Sequence, residues 1–316
     1  MRQDEKIEYV RRYLQDRINK EFPYPFQVSY EGKNFMFRLR SGKRECCARL
    51  KQSQGILDSI SSGTEDSRNV EVARLFEILQ AAVRAQESTA LAEESSYEKV
   101  KNDLILRPLN YRQVRGDLKD VPYWKIGDVA LVLYAVMAHE AGDYYTAKMH
   151  RSQMENWKKP EKDVLQEALV NTSFLYPPRL YSVEDLLAWD QKRPEDGRFM
   201  TEDGEVKIRR GMRGYILTNT LEINGAIALF YPGVARKIAE GFGEDFYIAF
   251  TSIHEAQIHA VSMISPDVVE SSLRDTNKQC NRKEEVLTNH VYCYRLAQDS
   301  FFVLRDGEFR EAMKHD

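Results

Sequence analysis

The chain has 316 residues, of which 42% are hydrophobic and 30% are charged, enough apolar material to form a packed core. This composition argues against intrinsic disorder over most of the chain. The 46 basic and 49 acidic residues give a net charge of −3, so the basic excess of a dedicated non-specific nucleic-acid binder is missing.

The first ninety residues predict an α-β-β-β-α unit. Helical spacing of apolar residues indicates two helices, one carrying Ile7, Val10, Leu14 and Ile18, the other Val72, Leu75, Phe76, Leu79 and Val83. Between them, strands within residues 26–40 flank a turn at residues 31–34, and a third strand covers Glu45 to Leu50. The acidic, small-residue stretch at 87–96 predicts a linker, so we divide the chain into domains 1–90 and 91–316.

Residues 91–316 predict a larger mixed-sheet domain with flanking helices. Helices are expected from Pro160, from Pro232 to the stop at Gly241–Gly243, and from Ser265–Pro266. Strands are expected at 104–107, 129–137, 145–149, 215–218, 226–230, 246–250, 256–261, 291–294 and 301–304. The polar stretch from Asp190 to Gly214 predicts an exposed loop. The fold class is therefore mixed α/β, of the α+β kind.

Apolar length and cysteine usage predict a cytoplasmic protein without membrane association. The most apolar run, residues 129–137, falls well short of the ~20 residues that cross a bilayer. The opening MRQDEKIEYV carries charges where a signal peptide needs apolar residues. Cys46, Cys47, Cys280 and Cys293 form no C-x-x-C motif, and neighbouring cysteines would close a strained ring. We expect four reduced thiols in packing roles.

The segment from Thr251 to His259 holds two histidines and a glutamate. A zinc-protease helix needs histidines at i and i+4, whereas His254 and His259 are five residues apart, so that function is rejected. His254 and Glu255 follow a predicted strand and are candidates for a general acid/base pair. The alternative is that His254 orients a turn through backbone hydrogen bonds.

Two further polar clusters lie at predicted strand ends, where ligand sites gather. His290 is a third catalytic candidate, and Asn219 and Asn289 are candidate ligand-binding residues. Each cluster is equally explained as a turn, because an asparagine side chain can bond its own backbone. The sequence contains no G-x-S-x-G or phosphate-binding glycine motif, and we predict no metal or cofactor.

Basic residues gather on the predicted amino-terminal hairpin. Arg38, Arg40 and Arg49 are candidate anion-binding residues, because such patches can hold phosphate or nucleic acid. The alternative is a solvated strand face that discourages edge pairing. A second basic group, at residues 207–213, lies in the predicted loop.

Three stretches, SIHEAQIHA, NHVYCY and ILTNTLEINGAIALFYPGV, resemble an uncharacterised family of domain-of-unknown-function proteins from gut Firmicutes. Members share a Ser-Ser-Ile-His-Glu-like turn, here residues 251–255, and an Asp-His-Val-Tyr-like strand entry, here with Asn289 in place of the acid. The resemblance covers about residues 95–305. The amino-terminal unit is distantly similar to the YtpQ family, also uncharacterised. Neither resemblance implies an activity or a catalytic residue.

The function favoured by the sequence is that of an intracellular accessory protein that binds a partner protein or a small ligand without catalysis. The alternative is a hydrolase or transferase that uses His254, Glu255 and His290 at one sheet edge. A third hypothesis is a nucleic-acid-associated factor that uses the basic groups; we rank it last because of the net charge.

Overall fold

The computed structural model describes residues 2–31, 34–41, 44–51, 54–91, 96–140, 143–188, 197–200, 207–211 and 213–312. By packing, the chain forms two compact units: residues 1–104 with 134–159, and residues 105–133 with 160–316. No helix among the described residues is long and apolar enough to span a membrane. The fold is α+β, as the sequence predicts.

The helices, in chain order, are α1 (Gln3–Glu21), α2 (Gln54–Ser61), α3 (Glu65–Leu91), α4 (Tyr97–Val100), α5 (Tyr111–Val114), α6 (Arg151–Met154), α7 (Glu161–Leu175), α8 (Val183–Ala188), α9 (Val234–Phe242) and α10 (Pro266–Gln279). Short 3-10 helices cover Lys101–Asp103, Glu155–Trp157 and Gly225–Phe230.

The strands are β1 (Gln27–Glu31), β2 (Asn34–Ser41), β3 (Arg44–Lys51), β4 (Leu104–Asn110), β5 (Tyr123–Ile126), β6 (Val129–Glu140), β7 (Asp143–Lys148), β8 (Pro178–Ser182), β9 (Tyr215–Asn219), β10 (Phe246–Ala249), β11 (Ala256–Ala260), β12 (Tyr292–Arg295), β13 (Ser300–Arg305) and β14 (Glu308–Glu311).

The first unit confirms the predicted α-β-β-β-α order and adds the short helix α2. Strands β1, β2 and β3 pair antiparallel, and β7 pairs with β3. Alternating residues of β2 join one core with the apolar stripes of α1 and α3; these residues are Phe35, Phe37 and Leu39. Helix α2 contributes Ile56, Leu57 and Ile60 to the same core. The sequence prediction omitted α2 because eight residues are too few for a clear helical period.

The second unit contains a seven-stranded antiparallel sheet in the order β14-β13-β12-β10-β11-β9-β8. Helix α9 ends at Gly243 (φ +70°), and α10 begins at Pro266, both as predicted. The predicted loop from Asp190 to Gly214 falls mainly on residues 190–196, 201–206 and 212, which lie outside the described residues.

The strand predicted at residues 226–230 is wrong. Residues 225–230 form a 3-10 helix whose members are all buried. Gly225 permits its close packing, since a Cβ there would lie 2.1 Å from Thr218 Oγ1 and 2.4 Å from the carbonyl oxygen of His254. A short apolar run carries no period that separates a buried strand from a buried helical turn.

Candidate functional site

One end of the seven-stranded sheet gathers the predicted site residues of the second unit. Antiparallel pairing of Ala249 with Gln257, Ile248 with Tyr292 and Ala256 with Leu217 puts the end of β10, the starts of β11 and β12 and the end of β9 together. We call this the sheet end; Asn219, His254, Glu255, Asn289 and His290 all lie there. Arg305, the last residue of β13, reaches the same end because Val303 lies opposite Tyr292.

His254 is built into a buried turn. Its Nδ1 accepts a hydrogen bond from the backbone N–H of Asn224 (3.2 Å), and its own N–H donates to Ser252 Oγ (3.0 Å). Thr218 Oγ1 donates to its carbonyl oxygen (2.8 Å). Because Nδ1 accepts, the proton of a neutral imidazole sits on Nε2.

The Nε2 atom of His254 is buried and has no hydrogen-bond partner in the described part of the chain. The closest carboxylate oxygen recorded for it is Glu285 Oε1, at 3.9 Å. That separation is too long for a hydrogen bond. The imidazole therefore holds the Asn224 turn and has a fixed tautomer.

Asn219 and Glu255 both make local hydrogen bonds. Asn219 Nδ2 donates to the carbonyl oxygen of Ile223 (3.1 Å), and its Oδ1 accepts from the N–H of Leu221 (3.0 Å). These bonds form an asparagine turn. Glu255 Oε1 accepts from Thr251 Oγ1 at 3.2 Å. The two side chains thus shape the turns that follow β9 and β10.

Asp128, which the sequence analysis did not single out, lies in the tight turn between β5 and β6. Tyr292 Oη accepts from the backbone N–H of Asp128 (2.6 Å) and donates to the carbonyl oxygen of Ile126 (3.0 Å). The preceding Gly127 has φ +60°, and a Cβ there would lie 2.4 Å from Tyr292 Oη. A buried tyrosine of β12 therefore fixes the backbone at Asp128.

The buried carboxylate of Asp128 accepts three side-chain hydrogen bonds from residues distant in sequence. The donors are Arg305 (2.6 Å), His290 Nδ1 (2.7 Å) and Thr288 Oγ1 (2.9 Å). We call Asp128, Thr288, His290 and Arg305 the Asp128 cluster. Burial alone would raise the pKa of Asp128, but the hydrogen bonds from Arg305, His290 and Thr288 outweigh it and lower the pKa below 3.8.

An ionised Asp128 fixes the tautomer of a neutral His290. Because a carboxylate can only accept, Nδ1 of His290 carries a proton, and in the neutral imidazole Nε2 is an acceptor. This is the opposite tautomer to that of His254. The His290 side chain is 24% exposed, so a solvent molecule or a ligand can approach this imidazole.

Arg112 lies beside the Asp128 cluster on the short helix α5. Its Nε is 3.7 Å from Asp128 Oδ1, and its side chain is 64% exposed. Two neighbouring side chains tie α5 to residues 283–286: Asn110 Nδ2 donates to the carbonyl oxygen of Val286 (3.1 Å) and Gln113 Nε2 to that of Lys283 (2.9 Å). These bonds anchor α5, and the guanidinium of Arg112 lies near Asp128 with most of its surface open.

Asparagine side chains connect the two histidine turns. Asn277 of α10 uses both amide hydrogens, one toward the carbonyl oxygen of Thr288 (2.9 Å) and one toward Asn289 Oδ1 (2.8 Å). Its Oδ1 accepts from Asn281 (2.8 Å), which also donates to the carbonyl oxygen of Thr251. The candidate Asn289 therefore anchors the segment before β12 to α10.

The arginines of the basic hairpin, which we define as Arg38, Arg40 and Arg49 of β2 and β3, have different surroundings. Arg38 donates to the buried carboxylate of Glu31 and to Ser29 Oγ (2.7 Å). Arg49 is buried and Arg40 is exposed. The anion-binding role of this hairpin stays a prediction.

The carboxylate that contacts His290 could not be found by inspecting the residues next to it in the sequence. Asn289 stands where the similar family has an acid, so the residue before His290 supplies no carboxylate. The carboxylate is supplied instead by Asp128, 162 residues earlier in the chain. The available signal was the Gly127–Asp128 turn that directly precedes the most apolar run, residues 129–137.

Comparison with known proteins gives one match. Residues 59–296 match the model of a family of unknown function, DUF5688. No curated protein and no solved structure matches the chain. The matched residues include Asp128, His254 and His290, whereas Arg305 lies beyond them. The chain belongs to the DUF5688 family.

Proposed function

We propose that the protein is an accessory protein that binds a small ligand without catalysis, and that His290 and Arg112 are the groups that meet the ligand. The observation that carries this proposal is the Asp128 cluster. A buried carboxylate holds His290 by its Nδ1 and leaves its Nε2 atom for a ligand. Groups held in this way lose little side-chain entropy on binding, which favours affinity.

The surroundings of the other candidates support a binding role over the catalytic alternative with His254 and Glu255. His254 Nδ1 is occupied by the N–H of Asn224, and Glu255 is bonded to Thr251. A general acid or base must reach the substrate proton directly or through one water. Of the three catalytic candidates, the partly exposed imidazole of His290 fits a ligand contact best.

A second function, acid–base catalysis, is favoured by one contact. Asp128 and His290 are 2.7 Å apart, the arrangement in which a carboxylate orients an imidazole so that Nε2 can take a proton. Under this alternative, His290 would act as the base in a hydrolase or transferase, and Arg112 would position the substrate.

One experiment separates binding from catalysis. A library of water-soluble metabolites is screened by thermal shift against the wild-type protein and His290→Ala, and each hit is then incubated with wild type and followed by mass spectrometry. We expect ligands that stabilise wild type but not the variant, because binding to the folded state raises the melting temperature. The ligands should be recovered unchanged. Conversion of a hit by wild type alone would establish the catalytic alternative. Compounds that stabilise wild type and His290→Ala equally would show that His290 is not part of the binding site.

We also propose a cytoplasmic location. Cys280 and Cys293 are free thiols, and Cys46, Cys47 and Cys293 are buried. Burial raises the pKa of the Cys293 thiol to about 12, which suppresses the reactive thiolate. Free thiols such as Cys280 and Cys293 suit a reducing compartment. Fractionation of cells of the source organism, with immunodetection of the protein, tests the location.

A further inference from the structure

The donors and acceptors around Asp128 define the chemistry of the ligand. Asp128 carries one negative charge, and Arg305, at 2.6 Å, balances it. The positive charge of the Arg112 guanidinium is then not needed to balance Asp128. Its nearest recorded ionic contact is 3.7 Å, and it makes no side-chain hydrogen bond recorded among the described residues. A guanidinium whose N–H groups are not used in side-chain hydrogen bonds can bind carboxylate or phosphate oxygens through paired hydrogen bonds.

His290 requires a hydrogen-bond donor on the ligand, whereas Arg112 requires an acceptor. Its Nδ1 proton is committed to Asp128, so the Nε2 atom of the neutral ring offers a lone pair. An oxyanion facing that lone pair would be repelled, whereas a hydroxyl group can donate to it. His290 Nδ1 is hydrogen-bonded to Asp128 Oδ2, and Arg112 Nε lies 3.7 Å from Oδ1 of the same carboxylate. The two side chains are therefore close enough for a single small molecule to meet both.

We infer that the ligand is a small organic oxyanion that also carries a hydroxyl group, with the oxyanion on Arg112 and the hydroxyl on His290 Nε2. This inference rests on the proposed binding function and narrows it to a chemical class. The oxyanion is a carboxylate or a phosphate monoester, and both present the same oxygens to Arg112. Arg305 and Thr288 position Asp128 and His290 and do not meet the ligand.

Calorimetric titration of the full chain at low ionic strength tests the inference with two pairs of probes. Acetate and glycolate differ by one hydroxyl on a carboxylate; ethyl phosphate and glycerol 3-phosphate differ in hydroxyl content on a phosphate. We expect the hydroxyl-bearing member of at least one pair to bind about tenfold more tightly, which is about 1.4 kcal/mol. The pair with the greater affinity identifies the oxyanion.

Four variants assign the contacts. Arg112→Gln should weaken both members of the preferred pair about tenfold, whereas Arg115→Gln, an exposed arginine just beyond the same helix, should leave both affinities unchanged. His290→Asn keeps an amide hydrogen for Asp128 but removes the Nε2 acceptor, so the hydroxyl advantage should disappear. His290→Gln, whose amide oxygen reaches the Nε2 position, should restore part of it.

Four results would overturn the inference. Equal losses in Arg112→Gln and Arg115→Gln would show only general charge attraction, and a hydroxyl advantage that survives His290→Asn would place the hydroxyl elsewhere. A neutral ligand from the metabolite screen that needs His290 but not Arg112 would refute the oxyanion class and leave the binding function standing. Failure of every screened compound and every probe would refute both.

Discussion

At the scale of single residues, Asp128 determines how the sheet end is charged. Replacing it by asparagine keeps the size of the side chain but removes the charge that Arg305, His290 and Thr288 contact. We expect Asp128→Asn to lower the free energy of unfolding by about 1–3 kcal/mol at neutral pH, the usual effect of leaving a buried partner unsatisfied. Urea unfolding of both proteins measures it.

The pH dependence of this loss follows from the lowered pKa of Asp128. A carboxylate with a lower pKa in the folded state than in the unfolded state stabilises the fold fully above the unfolded value, 3.8. That contribution is lost as the pH falls through the folded pKa. The difference between wild type and Asp128→Asn should therefore stay constant at neutral pH and shrink below about pH 4. A difference that does not shrink below about pH 4 would contradict the ionised assignment.

His254 gives a second prediction at the residue scale. Substitution by alanine leaves the buried N–H of Asn224 without its acceptor, so we expect a loss of about 1–3 kcal/mol. This corresponds to a fall in melting temperature of roughly 2–4 °C per kcal/mol. Glu255→Ala is the comparison variant. Unchanged melting curves for both variants would remove the structural role of this pair and support the catalytic alternative.

At the scale of elements, local signals predicted ends better than interiors. Ser265–Pro266 marks the start of α10 and Gly243 the end of α9, because each acts through its own backbone conformation. The run from Ala226 to Phe230 is apolar but carries no signal at its ends, so it was wrongly predicted as a strand although it lies in a 3-10 helix. The same holds for the site. The predicted strand ends indicated His254 and His290. Asp128 was missed because its hydrogen bond to His290 joins residues 162 positions apart, which no local pattern encodes.

The predicted boundary at residues 87–96 can be tested by limited proteolysis. Helix α3 continues to Leu91, so a glutamate-specific protease should cut first after Glu93 or Glu94. The two fragments should remain together under native conditions, because β3, before the cut, pairs with β7, after it, at Cys46–Ala147 and Cys47–Thr146. Denaturing electrophoresis should separate the two fragments, whereas size-exclusion chromatography should elute them together. First cleavage elsewhere would argue against the boundary.

At the scale of the whole molecule, the charge balance opposes tight binding of nucleic acid. The net charge is −3, and in the basic hairpin Arg38 is already paired with Glu31. Release of counterions from the nucleic acid gains less free energy as the salt concentration rises, so a few exposed arginines give little affinity at physiological salt. We expect dissociation constants above about 1 µM for single- and double-stranded DNA and RNA in fluorescence anisotropy.

The double variant Arg38→Ala/Arg40→Ala provides the matched control for that measurement. If the hairpin has no nucleic-acid role, the variant and wild type should give the same weak curves. Sub-micromolar binding that falls steeply with salt and disappears in the variant would reverse the ranking of functions. The salt slope would then count the contacts, because log K falls by about 0.9 per released counterion for duplex DNA. A slope near 2 would fit Arg38 and Arg40 alone, and a larger slope would require further cations, such as those at residues 207–213.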